Sequence, residues 1–236
     1  MTEVLLTAPE GETIPVACVA EGALDGLSAF EQGLAAAADF KGKAGQLLAV
    51  PGPDGRTVRL LFGIGDPAKV QAMAFRALPA RLPAGDYRIE DAPSHLDAAQ
   101  VALAFALGGY AFDRYRKKRE KHARLVVAPG VDVAEIREIA HACALAKDMV
   151  NTPANDMGPL QIETIAREIA QRHGARFSVV TGDALLAEGY PSVHAVGRAA
   201  DPHRAPRFIE ISWGESDKPL VCIVGKGVVF VTGGLD

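Results

Sequence analysis

The residue with the clearest chemical potential stands near the end of the chain, where "CIVGKGVVFVTGGLD" (222–236) sets Lys226 between Gly225 and Gly227 inside an apolar run. Phosphate binding is the first chemistry to test, because a lysine after a glycine-rich turn can reach phosphate oxygens. The pattern fails: the upstream glycine spacing is wrong, and Gly227 follows the lysine where a P-loop needs Ser or Thr. Taken by itself, Lys226 reads as a surface lysine in a Gly-x-Gly turn, although the run around it looks like the entrance to a site.

Two other stretches invite a ligand. "FGIGDPAK" (62–69) spells G-x-G-x-x-A through Gly63, Gly65 and Ala68, with Glu90 closing a possible next strand. That is close to a dinucleotide fingerprint, in which glycines let the backbone approach a pyrophosphate. The pattern is short and degenerate, and a tight strand-to-helix turn with Pro67 in the first helical turn explains it equally simply. "RYRKKREKHAR" (114–124) packs seven Lys or Arg into eleven positions around Tyr115. Such a run could contact phosphates with strong salt dependence, but it also suits a solvated loop whose cations favour the preceding helix C-terminus.

The histidines at 95, 122, 141, 173, 194 and 203 show neither H-E-x-x-H nor C-x-x-C company, so no compact zinc site forms from sequence neighbours. His141 is expected as an ordinary, partly buried helix residue. Cys18, Cys143 and Cys222 are odd in number, far apart and set among apolar residues, which reads as buried free thiols in a reducing compartment and not as a disulfide framework. The acidic N-terminus lacks signal-peptide character and no apolar run reaches membrane-spanning length, so a cytoplasmic protein without a membrane anchor is expected. The formal charge of −4 excludes a general attraction to polyanions, so no nucleic-acid partner is expected.

These residues must be held by an α/β scaffold. Strand patterns at 3–8, 15–20, 46–50, 57–65 and 124–129 alternate with helical patterns at 27–39, 67–78 and 96–112, which implies a parallel or mixed sheet covered on its faces. A long helix starts at Asp132, with Glu135 placed for a capping box and Ile136, Ile139, Ala140 and Cys143 as its apolar face. It ends near Val150 before "NTPAND" and reads as a connector between two domains. Beyond it, Pro159 suits a first helical turn, Ile162, Ile165, Ala166 and Ile169 form a stripe, and Gly174 suits a helix end. Further strands are expected at 176–180, 194–197, 207–213 and 219–225. A sheet that stopped on such a strand would leave an open edge, so the sequence reads as cut short.

"DMVNTPAND" (148–156), "AVGRAAD" (195–201), "PRFIEISW" (206–213) and "PLVCIVGKGVVFVTGGLD" (219–236), in this order and spacing, resemble the leucyl aminopeptidase (cytosol aminopeptidase) family of metallopeptidases. "GGYAFDRYRKKRE" (108–120) also looks like a family segment, which favours the bland reading of the basic run. The resemblance implies a macro-like α/β domain with a mixed sheet over 1–131, a connector helix over 132–150, and the incomplete first part of a catalytic domain over 151–236. It further implies a homohexameric cytoplasmic enzyme that removes N-terminal residues, leucine preferred, from peptides with two divalent ions, manganese or zinc.

By the same resemblance, Lys226 falls on a metal-ligand position. A coordinating lysine must be neutral, which costs about 4 to 5 kcal/mol at pH 7 unless metal and desolvation supply it. Val231 stands where the family has an aspartate ligand, and the other ligands and the catalytic lysine and arginine are expected beyond residue 236. No catalytic residue is therefore expected within the chain, and it is expected to be inactive alone. The competing expectation is a non-catalytic macro-like module that binds a nucleotide-type ligand or a protein partner.

Overall fold

The computed structural model describes residues 4–116 and 122–229. The chain forms two compact units, Met1–Lys147 and Asp148–Asp236.

The first unit is built on a six-stranded sheet of β1 (Leu5–Leu6), β2 (Thr13–Ala20), β3 (Leu47–Pro51), β4 (Thr57–Gly65), β5 (Gly85–Glu90) and β6 (Ala123–Val126), in the order β1-β6-β5-β2-β4-β3. Only β3 runs antiparallel to its neighbour, so the sheet is mixed, and the α/β class expected from the strand and helix alternation holds.

Side chains of a strand alternate between faces, and both faces here are buried, which is why β2 and β4 are apolar at nearly every position. Val16, Leu60, Phe62 and Ile64 face a core shared with α3 (Ala98–Gly108) and the start of α4 (Val133–Asn151). Ala17, Val19 and Leu61 face a smaller core under α1 (Ala29–Ala37).

Local chemistry sets the helix starts. Ser28 and Glu31 form a capping box at α1, with the Ser28 amide donating to Glu31 Oε2 at 2.9 Å. Asp97 Oδ1 accepts from the amides of Ala99 and Gln100, and Asp132 Oδ1 from those of Ala134 and Glu135. On α4, Ile136 and Ala140 are buried as expected, whereas Ile139 is 41% exposed and His141 is exposed instead of partly buried.

The helix expected over 67–78 is a turn followed by a 3-10 segment, Ala72–Ala77, and the short α2 (Leu78–Arg81). Asp66 explains the delay: its carboxylate accepts from the Ala68 amide, and its carbonyl from those of Lys69 and Val70. Such local bonding competes with helix propagation.

The second unit contains α5 (Pro159–Arg172), β7 (Arg176–Thr181), α6 (Ala184–Ala187), α7 (Pro191–Gly197) and β8 (Arg207–Ser212), with β7 and β8 antiparallel. Pro159 occupies the first turn of α5, and Gly174 follows its end at φ +64°. Residues 194–197, expected as a strand, belong instead to α7, where Pro191 presets helical φ in the first turn. Tyr190 before it stacks on Phe208 of β8 at 4.1 Å. Residues 219–225, also expected as a strand, have no regular structure and are exposed. A strand needs a ladder, and among the described residues β8 is paired only with β7.

Candidate functional site

In the second unit the segment after α4 is held by one arginine. Arg204 Nη1 donates to the Ala154 carbonyl at 3.0 Å and Nη2 to that of Asn155 at 2.8 Å. This fork fits the planar guanidinium and fixes two successive carbonyls at once. The Gly158 amide donates to Gln161 Oε1 at 3.0 Å, and a Cβ at Gly158 would lie 3.2 Å from Arg204 Nη1. "NTPAND" is thus a framed turn leading into α5.

Below it lies a charged pair. Arg207 of β8 donates through Nη1 to Glu163 Oε2 at 2.7 Å and through Nε to the Ala205 carbonyl at 3.1 Å. Glu163 Oε1 also accepts from Arg167 at 2.8 Å, and the Arg167 guanidinium lies 4.3 Å from the Phe177 ring centroid. The network ties α5 to both strands of the second unit.

Lys226 is exposed, within a stretch without regular structure. Val231 lies outside the described residues. Among the described residues, no three of His, Cys, Asp and Glu converge as a metal-binding group. A divalent ion needs several oxygen or nitrogen donors, so the described residues do not fit a two-metal centre by themselves. His194 instead meets Asp183 at 3.0 Å, and His95 meets the Val70 carbonyl at 3.1 Å.

In the first unit, the glycines of "FGIGDPAK" serve close packing. The Gly63 amide donates to Gln46 O and the Gly65 amide to Gly42 O, while Gly63 O accepts from Gly45. A Cβ at Gly63 would come within 2.2 Å of the Lys43 carbonyl. These two amides therefore face the 42–46 loop, and the helix N-terminus that a pyrophosphate would need does not follow directly. Residues 117–121 of the basic run lie outside the described residues. No helix among the described residues is long and apolar enough to cross a membrane.

Fold and site define an α/β protein in which a mixed-sheet unit precedes a second α/β unit carrying the framed turn and the Lys226 segment. Residues 17–128 match the N-terminal domain of the M17 aminopeptidases, and residues 144–236 match the catalytic domain of the cytosol aminopeptidase family. The chain belongs to the M17 cytosol aminopeptidase family.

Among its relatives, a probable cytosol aminopeptidase of Nocardia farcinica is 32% identical over 214 residues, covering 83% of this chain and 42% of the relative. The cytosol aminopeptidase structure from Coxiella burnetii superposes with a TM-score of 0.80 at 29% identity, covering 92% of this chain and 47% of that one. The bottromycin maturation enzyme BotP in complex with Mn gives 0.67 at 31% identity, covering 87% and 46%. The chain thus spans about half the length of the relatives it matches.

Proposed function

We propose that these residues form the N-terminal domain (1–131), the connector helix (132–150) and the first part of the catalytic domain (151–236) of a metal-dependent aminopeptidase. Its substrates are peptides, from which it removes the N-terminal residue, with leucine preferred. The observation that carries this reading is the catalytic-domain match over 144–236, which includes the glycine-flanked Lys226. The Mn complex of BotP supports divalent metal chemistry in a relative. A cytoplasmic homohexamer is the assembly that accompanies this reading.

Within it, Lys226 is a metal-ligand position, and Val231 replaces a carboxylate with a side chain that has no lone pair. One amine cannot hold two ions, so the 236 residues alone are proposed to be inactive. The test is hydrolysis of leucine amide by the purified 236-residue chain with manganese and, separately, with zinc. No turnover by a cooperatively folded chain is expected. Chelator-sensitive turnover abolished by Lys226→Ala would show that further donors complete the centre and would overturn the inactivity of the isolated chain.

A further inference from the structure

The "FGIGDPAK" stretch borders a feature that the packing of its glycines leaves unexplained: an open cleft of about 310 Å³ beside the end of β4, within the first unit. In open α/β sheets, ligands bind beyond the carboxyl ends of the strands, where the chain reverses its direction across the sheet. That reversal falls here, because β3 and β4 lie on one side of β2 and β5 and β6 on the other. One wall is the 42–46 loop, tied down by bonds from the Gly45 amide to the Gly63 carbonyl at 2.8 Å and from the Gly65 amide to the Gly42 carbonyl at 2.9 Å. The other is the segment 66–74, where the Asp66 carbonyl accepts from the amides of Lys69 and Val70, and His95 meets the Val70 carbonyl at 3.1 Å. Both walls are held in place, so a ligand would meet a site that needs little ordering.

The cleft combines an apolar interior with one charge of each sign at its mouth. Buried Ile64 lines it with Val70 and Ala74, and Met73, 48% exposed, adds a flexible thioether that adapts to aliphatic shapes. Asp66 Oδ2 and Lys69 Nζ meet at 3.0 Å, both at the exposed edge. The hydrogen bond from Lys69, with that from the Ala68 amide, holds the Asp66 carboxyl below its ordinary value of 3.8, so it is ionised at neutral pH. An exposed ion pair contributes little by itself, and its members exchange partners readily.

These charges restrict the occupant. A phosphate would face the Asp66 carboxylate, and the Gly63 and Gly65 amides that could have bound it are engaged with the 42–46 loop. A fatty carboxylate would leave Asp66 unmatched, and an alkylamine would leave Lys69 unmatched. An α-amino acid carries its ammonium, carboxylate and side chain on one carbon, so both charges can meet the pair while the side chain points away from them. A peptide separates its terminal charges by at least one further residue. We infer that this cleft is a binding site for a free α-amino acid with an aliphatic side chain, its carboxylate on Lys69, its ammonium on Asp66 and its side chain against Ile64, Val70 and Met73. The site lies in the first unit and is read by binding alone, so it goes beyond the proposed reaction and does not depend on it.

The test uses the 236-residue chain labelled at its methionine methyl groups and titrated with leucine under NMR observation. Met73→Leu assigns the reporting resonance, and Met149 and Met157 of the second unit serve as controls. A saturable shift of the Met73 methyl is expected, with a Kd of about 1 mM, since the cleft is open and the ligand small. Glycine, which brings the charges without the side chain, should give no saturable shift. Leucine amide and 4-methylpentanoate, each lacking one charge, should bind about fivefold or more weakly than leucine. Asp66→Asn keeps an oxygen for the Ala68 amide and Lys69→Gln keeps an apolar stem, so both variants should melt as the parent does and bind leucine about fivefold or more weakly.

Absence of a saturable Met73 shift at leucine concentrations well above that Kd would overturn the inference. So would undiminished leucine binding in both Asp66→Asn and Lys69→Gln, which would place the ligand away from the pair. Tighter binding of 4-methylpentanoate or of adenosine monophosphate than of leucine at the same methyl would assign the cleft to a carboxylate or a nucleotide instead. Hydrolysis is not the readout, so failure of the proposed peptidase activity would leave the amino-acid site established, and failure of the site would leave that activity untouched.

Discussion

Arg207 and Glu163 meet at 2.7 Å with side chains only 6% and 13% exposed, joining β8 to α5 across 44 residues of sequence. Removing one partner of a buried pair strands the other, at a cost of roughly 3 to 5 kcal/mol. Glu163→Ala would leave Arg207 with the Ala205 carbonyl, so a loss near the lower bound, about 3 kcal/mol, is expected. Arg167→Ala removes a half-exposed partner of the same carboxylate and should cost about 1 kcal/mol. Trp213, the one tryptophan, lies in the second unit, so urea unfolding followed by its fluorescence reports both variants.

Glu31 predicts an acid-side dependence of stability. Burial acts to raise its carboxyl pKa, but hydrogen bonds from the Ser28 amide and hydroxyl, with Arg59 at 3.0 Å, outweigh it and hold the group below its ordinary value of 4.5. A depressed folded pKa stabilises above the unfolded value, and that contribution is lost as pH falls through the folded pKa. Glu31→Gln should therefore lower stability at neutral pH and flatten its decline below pH 4.5. Thermal melts of both proteins between neutral and acid pH measure the difference.

Two glycines of the first unit should respond in opposite directions. Gly33 lies inside α1 with nothing within 4 Å of an added Cβ, so Gly33→Ala should stabilise by about 0.5 to 1 kcal/mol through helix propensity. At Gly63 the new Cβ would strike the Lys43 carbonyl at 2.2 Å, and backbone cannot yield as a side-chain end can. Gly63→Ala should destabilise by about 3 kcal/mol, at the upper end of overpacking costs. Urea midpoints of the two variants would show opposite shifts. A neutral Gly63→Ala would mean that the 42–46 loop moves freely away from β4.

Elements that announce themselves locally were legible in the sequence. The β4 pattern 57–65 coincides with Thr57–Gly65, because a strand buried on both faces is apolar in both phases. Asp132, Pro159 and Gly174 carry their helix boundaries in single side chains or in the freedom of glycine. The Arg204 fork and the Arg207–Glu163 pair left no sign, since their partners lie 44 to 50 residues away. Residues 194–197 looked extended because a short apolar run does not distinguish strand from helix, and Pro191 decided the matter. Lys226 gained a chemical role only from its resemblance to a family segment, because Gly-Lys-Gly alone satisfies no phosphate motif.

The cysteines should separate by reactivity. Burial, followed by the charge of Asp91, pushes the Cys18 thiol up to about 12, leaving almost no thiolate near neutrality. Cys222, expected from its apolar surroundings to be buried, is instead exposed in the 219–229 stretch, which forms no strand that would cover it. A disulfide reagent at pH 8 should titrate Cys222 rapidly and Cys18 only after unfolding in urea. Cys222→Ser should remove the fast phase, whereas loss of that phase in Cys18→Ser would contradict the burial of β2.

Metal addition tests how far Lys226 acts alone. A ligand that binds only the folded chain stabilises it by RT ln(1 + [L]/Kd), so 1 mM manganese held with a Kd weaker than about 1 mM adds at most about 0.4 kcal/mol. Since no three acidic, His or Cys residues among the described ones converge, manganese should move the melting temperature of the 236-residue chain by no more than about 2 °C. Lys226→Ala should leave that small response unchanged. A larger rise lost in Lys226→Ala would mean that the lysine has found companion ligands. The same rise retained in the variant would place the ion elsewhere, and calorimetry with manganese and with zinc would distinguish these outcomes.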